Sequence, residues 1–228
     1  MKSISLFFCV LLLFIVSGKA QAQADYIDDA ALWIGFNLEK KLNDKVYLQL
    51  SQQNRITENI STYGRGNIDF GVTYRFNKNI RLMGDYVYLK RPNPDNSFTN
   101  EHRLYTALIL KKEIGRWDFS YRNMVQMRMK NIYSSEDGKT AQYYERNKLS
   151  VKYEWNKFLS PYLSGELFYP FNQTQNRGLK KIRSSFGLDY KINRKTSATA
   201  YFLYQHELNA FNATNRDFVY GLTLNHEL

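Results

Sequence analysis

Most of this chain alternates, residue by residue, between apolar or aromatic side chains and polar or charged ones. In the run 67–76, for example, Ile68 and Phe70 alternate with Asn67 and Asp69. Successive side chains of a β-strand point to opposite faces, so this pattern separates two environments. The runs predicted as strands lie at residues 30–39, 46–57, 67–76, 80–91, 101–112, 117–130, 142–155, 160–171, 179–191, 195–207 and 215–227.

These runs are about twice as long as the strands of ordinary sheets, which have ~5–6 residues. Short and long connections follow each other in turn, which is typical of outer-membrane barrels with short periplasmic turns. Residues 25–228 are therefore predicted to be all-β, a single up-and-down antiparallel transmembrane β-barrel of 10–12 strands. Single-chain bacterial barrels have even strand numbers. Either one run is miscounted, or residues 25–39 pass partly through the lumen.

The N-terminus has the pattern of an export signal. Lys2 precedes the apolar stretch 4–16, and small residues follow it. Residues 1–22 are therefore predicted to be a signal peptide, with cleavage after Ala22 or Ala24. The alternative is a transmembrane helix, which would need about 20 apolar residues. The signal and the barrel pattern together predict the outer membrane of a Gram-negative bacterium.

The chain is strongly basic, with 32 Lys and Arg residues against 21 Asp and Glu and a net charge of +11. Such a charge often indicates nucleic-acid binding. An exported chain is instead expected to meet outer-membrane lipid, lipopolysaccharide and anionic solutes, and no nucleic acid. We also expect insertion by the barrel assembly machinery, a monomer, and neither a metal nor a cofactor.

The charged phase of the runs is predicted to face the lumen, because a basic residue facing lipid at the bilayer midplane costs roughly 2–4 kcal/mol. Long Arg and Lys side chains can fill a small barrel as a framework of ion pairs. The same residues could instead form a basic path or pocket for anionic or polar solutes. The candidate lumenal ionic network consists of Arg75, Arg81, Asp85, Glu101, Arg103, Arg122, Arg128, Arg146, Lys148, Glu154, Glu166, Arg183 and Asp189.

Aromatic residues concentrate where the runs end, and aromatic rings favour the headgroup level of a membrane. The alternative explanation is the general preference of aromatic residues for strands. The predicted aromatic girdle consists of Phe76, Trp117, Trp155, Tyr169 and Tyr190.

Four short segments carry repeated Arg and Glu residues in successive strands. They are Glu101-His102-Arg103, Tyr121-Arg122 through Arg128, Tyr144-Glu145-Arg146-Asn147-Lys148 and Glu166-Leu167-Phe168. With them the chain resembles, over roughly residues 30–228, the outer-membrane barrels grouped as domain of unknown function 2490. Gln126 departs from that pattern, because an acidic residue is expected between the two arginines of its strand. The resemblance implies an outer-membrane barrel and supplies neither a substrate nor catalytic residues.

Residues that could carry out catalysis are few. Cys9, the single cysteine, lies inside the predicted signal peptide, so we expect no disulfide, thiolate nucleophile or cysteine-ligated zinc in the mature chain. The histidines are His102, His206 and His226. No spacing links them to Ser184 or Ser185, and there is no HExxH zinc motif. We therefore predict no catalytic residues and no enzyme.

Three classes of function fit these observations. The first is a non-enzymatic barrel with a basic lumen, either structural or a narrow pore or solute-binding barrel. The second is a surface-binding protein that acts through its long loops, and the third is a hydrolase at the barrel rim. The exposed loop candidates are Tyr63, Arg65, Phe98, Tyr133 and Phe211.

Overall fold

A computed structural model describes residues 26–95, 97–130, 141–171, 178–208 and 214–228. The predicted signal peptide, with Cys9, and the loop candidates Tyr133 and Phe211 lie outside these described residues. Within them, the alternating runs form eleven strands. The strands are β1 (Tyr26–Lys41), β2 (Val46–Thr57), β3 (Thr62–Arg75), β4 (Ile80–Pro92), β5 (Phe98–Ile114), β6 (Trp117–Lys130), β7 (Gln142–Tyr153), β8 (Leu159–Pro170), β9 (Lys181–Lys191), β10 (Thr196–Glu207) and β11 (Thr214–Glu227).

The strands are long enough to cross an apolar layer. The longest, β5, has 17 residues and the shortest, β9, has 11. At ~3.3 Å per residue and a tilt of ~40°, β9 spans about 28 Å along a barrel axis. In the described residues, no helix is both long and apolar enough to span a membrane.

The sheet closes on itself, and the closure is parallel. Ten pairings between consecutive strands are antiparallel, and β1 pairs with β11 in parallel from Tyr26↔Thr214 to Glu39↔Glu227. An odd number of up-and-down strands requires this, because the first and last strands then run in the same direction. The predicted all-β barrel of 10–12 strands is confirmed. Neither explanation offered for the odd count holds, because all eleven runs are strands and residues 26–41 lie in the wall.

Asparagine side chains shape four of the five short turns, which all lie at one end of the barrel, the short-turn end. The Oδ1 atoms of Asn43, Asn77, Asn156 and Asn193 each accept hydrogen bonds from the backbone N–H groups two and three residues later. This Asx geometry reverses the chain within a few residues. The fifth turn uses Gly115, whose φ of 62° suits a residue without Cβ. The opposite end is the long-loop end.

The two faces of the wall differ in the way the alternation predicts. Ile68, Phe70 and Leu163 point outward with 53%, 51% and 62% of their surface exposed. Glu101 and Glu166 point inward and are buried. Apolar side chains on the outside and ionic ones on the inside invert the arrangement of a water-soluble domain.

The predicted girdle residues occupy both ends of the outer face. At the short-turn end, four of the predicted residues are exposed, namely Phe76, Trp117, Trp155 and Tyr190. There the rings of Trp117 and Tyr153 lie 4.7 Å apart, and Trp155 packs edge-on against Tyr153. Tyr169 is half-buried on β8 near the long-loop end.

Candidate functional site

The lumen contains a cavity of about 1120 Å³ on the long-loop side. Among the described residues, ten basic and six acidic side chains line it. The lining therefore carries an excess of four positive charges. The contacts that neutralise these cations differ from one side of the barrel to the other.

A buried carboxylate on β8 binds arginines from three other strands. Glu166 Oε1 lies 2.7 Å from Arg122 Nη2 and 2.9 Å from Arg146 Nη2, and Glu166 Oε2 lies 3.7 Å from Arg183 Nη1. Glu166 is 7% exposed at its side chain. Charge-assisted contacts of this kind are the strong hydrogen bonds of protein interiors. They hold β6, β7 and β9 to the same point on β8.

A second carboxylate binds two arginines that lie directly opposite each other on β5 and β6. Arg103 and Arg128 are register partners. Arg103 Nε lies 2.5 Å from Glu101 Oε1, and Arg128 Nη2 lies 2.7 Å from Glu101 Oε2. The carboxylate therefore bridges two like charges that would otherwise repel across the strands.

The unexpected amide at position 126 takes part in the same wall. Arg146 Nη1 donates to Gln126 Oε1 over 3.2 Å, and Gln126 is 6% exposed. An amide oxygen thus accepts the bond without adding a negative charge. We call the inner face of β5 to β9, with its Glu101 and Glu166 contacts, the arginine wall.

The remaining network candidates lie outside these two clusters. Arg75 contacts Glu39 at 3.2 Å and stacks on the Tyr47 ring, whereas Asp189 binds Lys152 and accepts a bond from Thr199. Arg81 Nε and Asp85 Oδ1 are buried, and neither has a hydrogen-bond partner in the described residues. Lys148 faces Glu166 in register without an ion pair in that part of the chain. Glu154, predicted in the lumen, is instead exposed, because β7 ends at Tyr153.

The inner face of β10, β11 and β1, which we call the seam, has an apolar centre. Ala31, Trp33 and Val219 are buried there, with Tyr201 and Leu203 packed against them. The centre of the seam therefore carries no charged side chain in the described residues, unlike the arginine wall. Nearer the long-loop end, the same three strands contribute acidic side chains to the lining of the larger cavity, namely Asp29, Glu207 and Asp217.

Beside the seam, two arginines of β2 and β3 face each other without a carboxylate. Arg55 and Arg65 are register partners and line the cavity. In the described residues, neither has a carboxylate within 4.0 Å, although Arg55 Nε donates to Gln53 Oε1 over 2.8 Å. The guanidinium of Arg55 lies 3.5 Å from the centre of the Trp33 ring.

Sequence reasoning misplaced one member of this pair and missed the other. Arg65, predicted in an exposed loop, lies in β3 because that strand begins at Thr62. Arg55 follows four polar residues that interrupt the alternation of β2. The available signal was the sequence Gly64-Arg65-Gly66, which is typical of a turn but also allows a β-bulge.

A second cavity of about 1010 Å³ opens at the short-turn end. Both cavities are lined by Asn37 and Ser51, which are register partners on β1 and β2. Asn37 Nδ2 donates to Asn225 Oδ1 over 2.7 Å. Both spaces therefore border the same pair of polar side chains on the β1–β2 side of the lumen, and we call this pair the constriction.

The histidines have contacts of other kinds. His102 Nδ1 lies 2.6 Å from the Tyr86 hydroxyl, and His226 Nδ1 lies 3.0 Å from Thr196 Oγ1. His206 stacks on the Tyr204 ring. The structure brings none of them to Ser184 or Ser185 in the part of the chain it describes, and no group of three potential metal ligands occurs there.

Two loop candidates for surface binding are exposed. Tyr63 and Phe98 have 47% and 51% of their surface accessible. Lys90 Nζ lies 4.1 Å from the centre of the Phe98 ring. Both were predicted in loops, but Tyr63 lies in β3 and Phe98 begins β5, because these strands extend further toward the long-loop end than their sequence pattern indicated.

A family model described as protein of unknown function (DUF2490) matches residues 30–216. No curated protein matches the chain. Among solved structures, the NanC porin shares 10% identity with a TM-score of 0.49, over 77% of this chain and 86% of its own. The translocator domain of autotransporter NalP from Neisseria meningitidis shares 10% identity at 0.48, over 77% and 74%. The beta domain of the Bordetella autotransporter BrkA shares 10% identity at 0.43, over 78% and 82%.

Proposed function

The chain belongs to this family of proteins of unknown function, and from that premise we propose that it is an outer-membrane barrel whose basic lumen binds and passes small anionic solutes. The outer membrane is supported by the apolar outer face, which lipid stabilises and water does not. The exposed aromatic residues at the short-turn end add to that support, because aromatic rings favour the headgroup level.

The observation that carries the passage is the pair Asn37 and Ser51. Cavities from both ends of the barrel reach this pair, so on the β1–β2 side the lumen is not filled by ion pairs. Polar, uncharged side chains at a constriction can hydrogen-bond a passing solute without trapping it. The arginine wall on the other side supplies rigidity, because its cations are held by Glu101 and Glu166.

The preference for anions follows from the charges on the lining. Ten basic and six acidic side chains of the described residues border the larger cavity. A cleft with one excess sign of charge concentrates the opposite ion, and the effect is strongest at low ionic strength. Anions are therefore expected to enter faster than cations of similar size.

Planar-bilayer recording of the refolded protein tests this function. We expect single-channel steps and a reversal potential that shifts toward the anion in a salt gradient. Ser51→Trp should lower the conductance by about half or more, because the indole would enter the constriction. Leu50→Trp is the matched control, since Leu50 is 45% exposed on the outer face of the same strand. A wild-type barrel that folds and carries no current would contradict the proposal.

The location has its own test. A folded barrel should migrate faster on a denaturing gel before boiling than after it, and the protein should sediment with outer-membrane fragments. Identical mobility in both samples, with recovery in the soluble periplasm, would remove the membrane assignment.

A further inference from the structure

We propose that Arg55 and Arg65 form a binding site for an oxyanion, the carboxylate or phosphate group of a solute in the lumen. This proposal identifies the class of solute and rests on the proposed function. Both side chains line the larger cavity, and they lie directly opposite each other on β2 and β3. Like charges in that position repel, so the pair is stabilised by an anion between them.

The protein itself contains the arrangement that such a pair binds. Arg103 and Arg128 are also opposite in register, and each contacts one oxygen of the Glu101 carboxylate. Arg103 lies 2.5 Å from Oε1, and Arg128 lies 2.7 Å from Oε2. Arg55 and Arg65 repeat this cross-strand geometry without a carboxylate of the described residues within 4.0 Å. An anion supplied by a solute would take the place that Glu101 occupies in the other pair.

A β-bulge lies directly beside the pair. Arg55 pairs with Arg65 whereas Ile56 pairs with Tyr63, so Gly64 is the extra residue. A Cβ on Gly64 would lie 2.7 Å from Thr57 Oγ1, so a larger residue would have to displace that side chain. The Tyr63 hydroxyl donates to Asn54, the neighbour of Arg55 that points away from the lumen. Arg65 keeps the inward phase of β3, and the regular pairing that places it opposite Arg55 ends at the bulge.

Arg55 is braced rather than neutralised. Its Nε donates to Gln53, and its guanidinium plane rests on Trp33. A cation–π contact and one hydrogen bond to an amide oxygen fix the guanidinium group and leave its terminal nitrogens as donors. The guanidinium fork matches the planar carboxylate and the phosphate oxygens, which favours oxyanions over a spherical halide.

The neighbouring charges favour an anion as well. Arg103 and Arg183 are near enough for their positive charge to act on both Arg55 and Arg65. These two neighbours are engaged with Glu101 and Glu166. The inward carboxylate on β3, Asp69, accepts a bond of 2.7 Å from Asn67 and lies four residues from Arg65. Asp69 and Glu101 are near enough for their negative charge to act on the pair, but in the described residues neither lies within ion-pair distance of Arg55 or Arg65.

Trp33 provides the measurement, because it touches Arg55 while the other two tryptophans, Trp117 and Trp155, lie exposed at the short-turn end. The experiment titrates the folded barrel in detergent with inorganic phosphate and, separately, acetate at constant ionic strength. It uses a Trp117→Phe, Trp155→Phe background, so that fluorescence reports on Trp33 alone. We expect a saturable change with at least one of the two anions.

Arg65→Gln should weaken this binding about tenfold or more, because it removes charged hydrogen bonds to the anion. Arg65→Lys should weaken it too, since lysine keeps the charge and lacks the fork. Lys180→Gln is the matched control, because it removes the same charge from the same cavity outside the pair and should change binding less than about threefold. Folding of each variant is checked by heat-modifiable mobility.

Two results would overturn the site: no saturable response to either anion in the folded wild type, or equal weakening by Arg65→Gln and Lys180→Gln. The proposed passage fails separately. A barrel that binds phosphate but carries no current keeps the site and loses the passage. One that conducts without saturable binding loses the site alone.

Discussion

The arginine wall and the seam enclose the same lumen with opposite chemistry. The wall, from β5 to β9, presents arginines that Glu101 and Glu166 hold in place. The seam presents Ala31, Trp33 and Val219. The difference teaches that the cations of one lumen can be held in two ways: those of the wall bind internal carboxylates, whereas Arg55, beside the seam, rests on an aromatic ring. Under the proposed function, the first kind is a framework and the second is available to a solute.

The largest expected effect comes from breaking the wall. Glu166→Gln leaves Arg122, Arg146 and Arg183 without their shared carboxylate and should lower the free energy of unfolding by about 3–5 kcal/mol. Urea unfolding of the barrel refolded in lipid measures this loss. Glu39→Gln is the control, since Glu39 has one arginine partner and is 28% exposed, and it should cost about 1 kcal/mol or less. Equal losses would mean that the wall is no framework.

An intermediate effect is expected at the seam, where packing replaces charge. A Cβ on Gly221 would lie 2.0 Å from the Tyr201 ring. Gly221→Ala should therefore destabilise the barrel by about 1–3 kcal/mol. In a chain that already carries Tyr201→Ala, Gly221→Ala should lower the free energy of unfolding by less than it does alone, because the ring it would clash with is gone.

The matched control for the seam is Gly84→Ala, because the nearest atom to a Cβ there is 4.0 Å away. It should change the free energy of unfolding by no more than about 0.5 kcal/mol. If both alanines are tolerated equally, the seam is not the tightly packed region described above.

The smallest effect is expected on the outer face of β1 and β11, behind the seam. Asp28 and Arg216 are partners across the parallel pairing there, with both hydrogen bonds of the guanidinium group at 2.6 Å, and both side chains are partly exposed. Asp28→Asn should leave the unfolding midpoint nearly unchanged. The small decrease should be larger at low salt than at high salt, because salt screens an exposed ion pair. A double-mutant cycle with Arg216→Gln measures the coupling. A coupling as large as the Glu166 effect would contradict the contrast between the two regions.

Alternation is a local property, and it predicted what is local. The run 117–130 matches β6 residue for residue, because its apolar and polar phases extend to its ends. The run 46–57 matches β2 as well, although the polar residues 51–54 interrupt its alternation. Glu154 was misplaced by one residue beyond a strand end, since Asn156 already organises the turn that follows. Arg65 continues the inward phase of β3, but the glycines on either side of it indicated a loop.

Contacts between distant strands were less accessible. The arginines of β6, β7 and β9 could be assigned to the lumen from their phase, but not to one carboxylate on β8, because that requires the register of every strand between them. The parallel closure has the same origin. Nothing within β1 or β11 distinguishes a parallel partner from an antiparallel one, and only the odd total decides.

Because of the parallel closure, the start of β1 and the end of β11 lie at opposite ends of the barrel. Tyr26 begins β1 at the long-loop end, whereas Glu227 ends β11 at the short-turn end, and both are exposed. With the short turns on the periplasmic side, as in other outer-membrane barrels, a reagent that cannot enter the cell would reach a label at position 26 but not one at position 227. A pair of such labels would therefore report which way round the molecule sits in a living envelope.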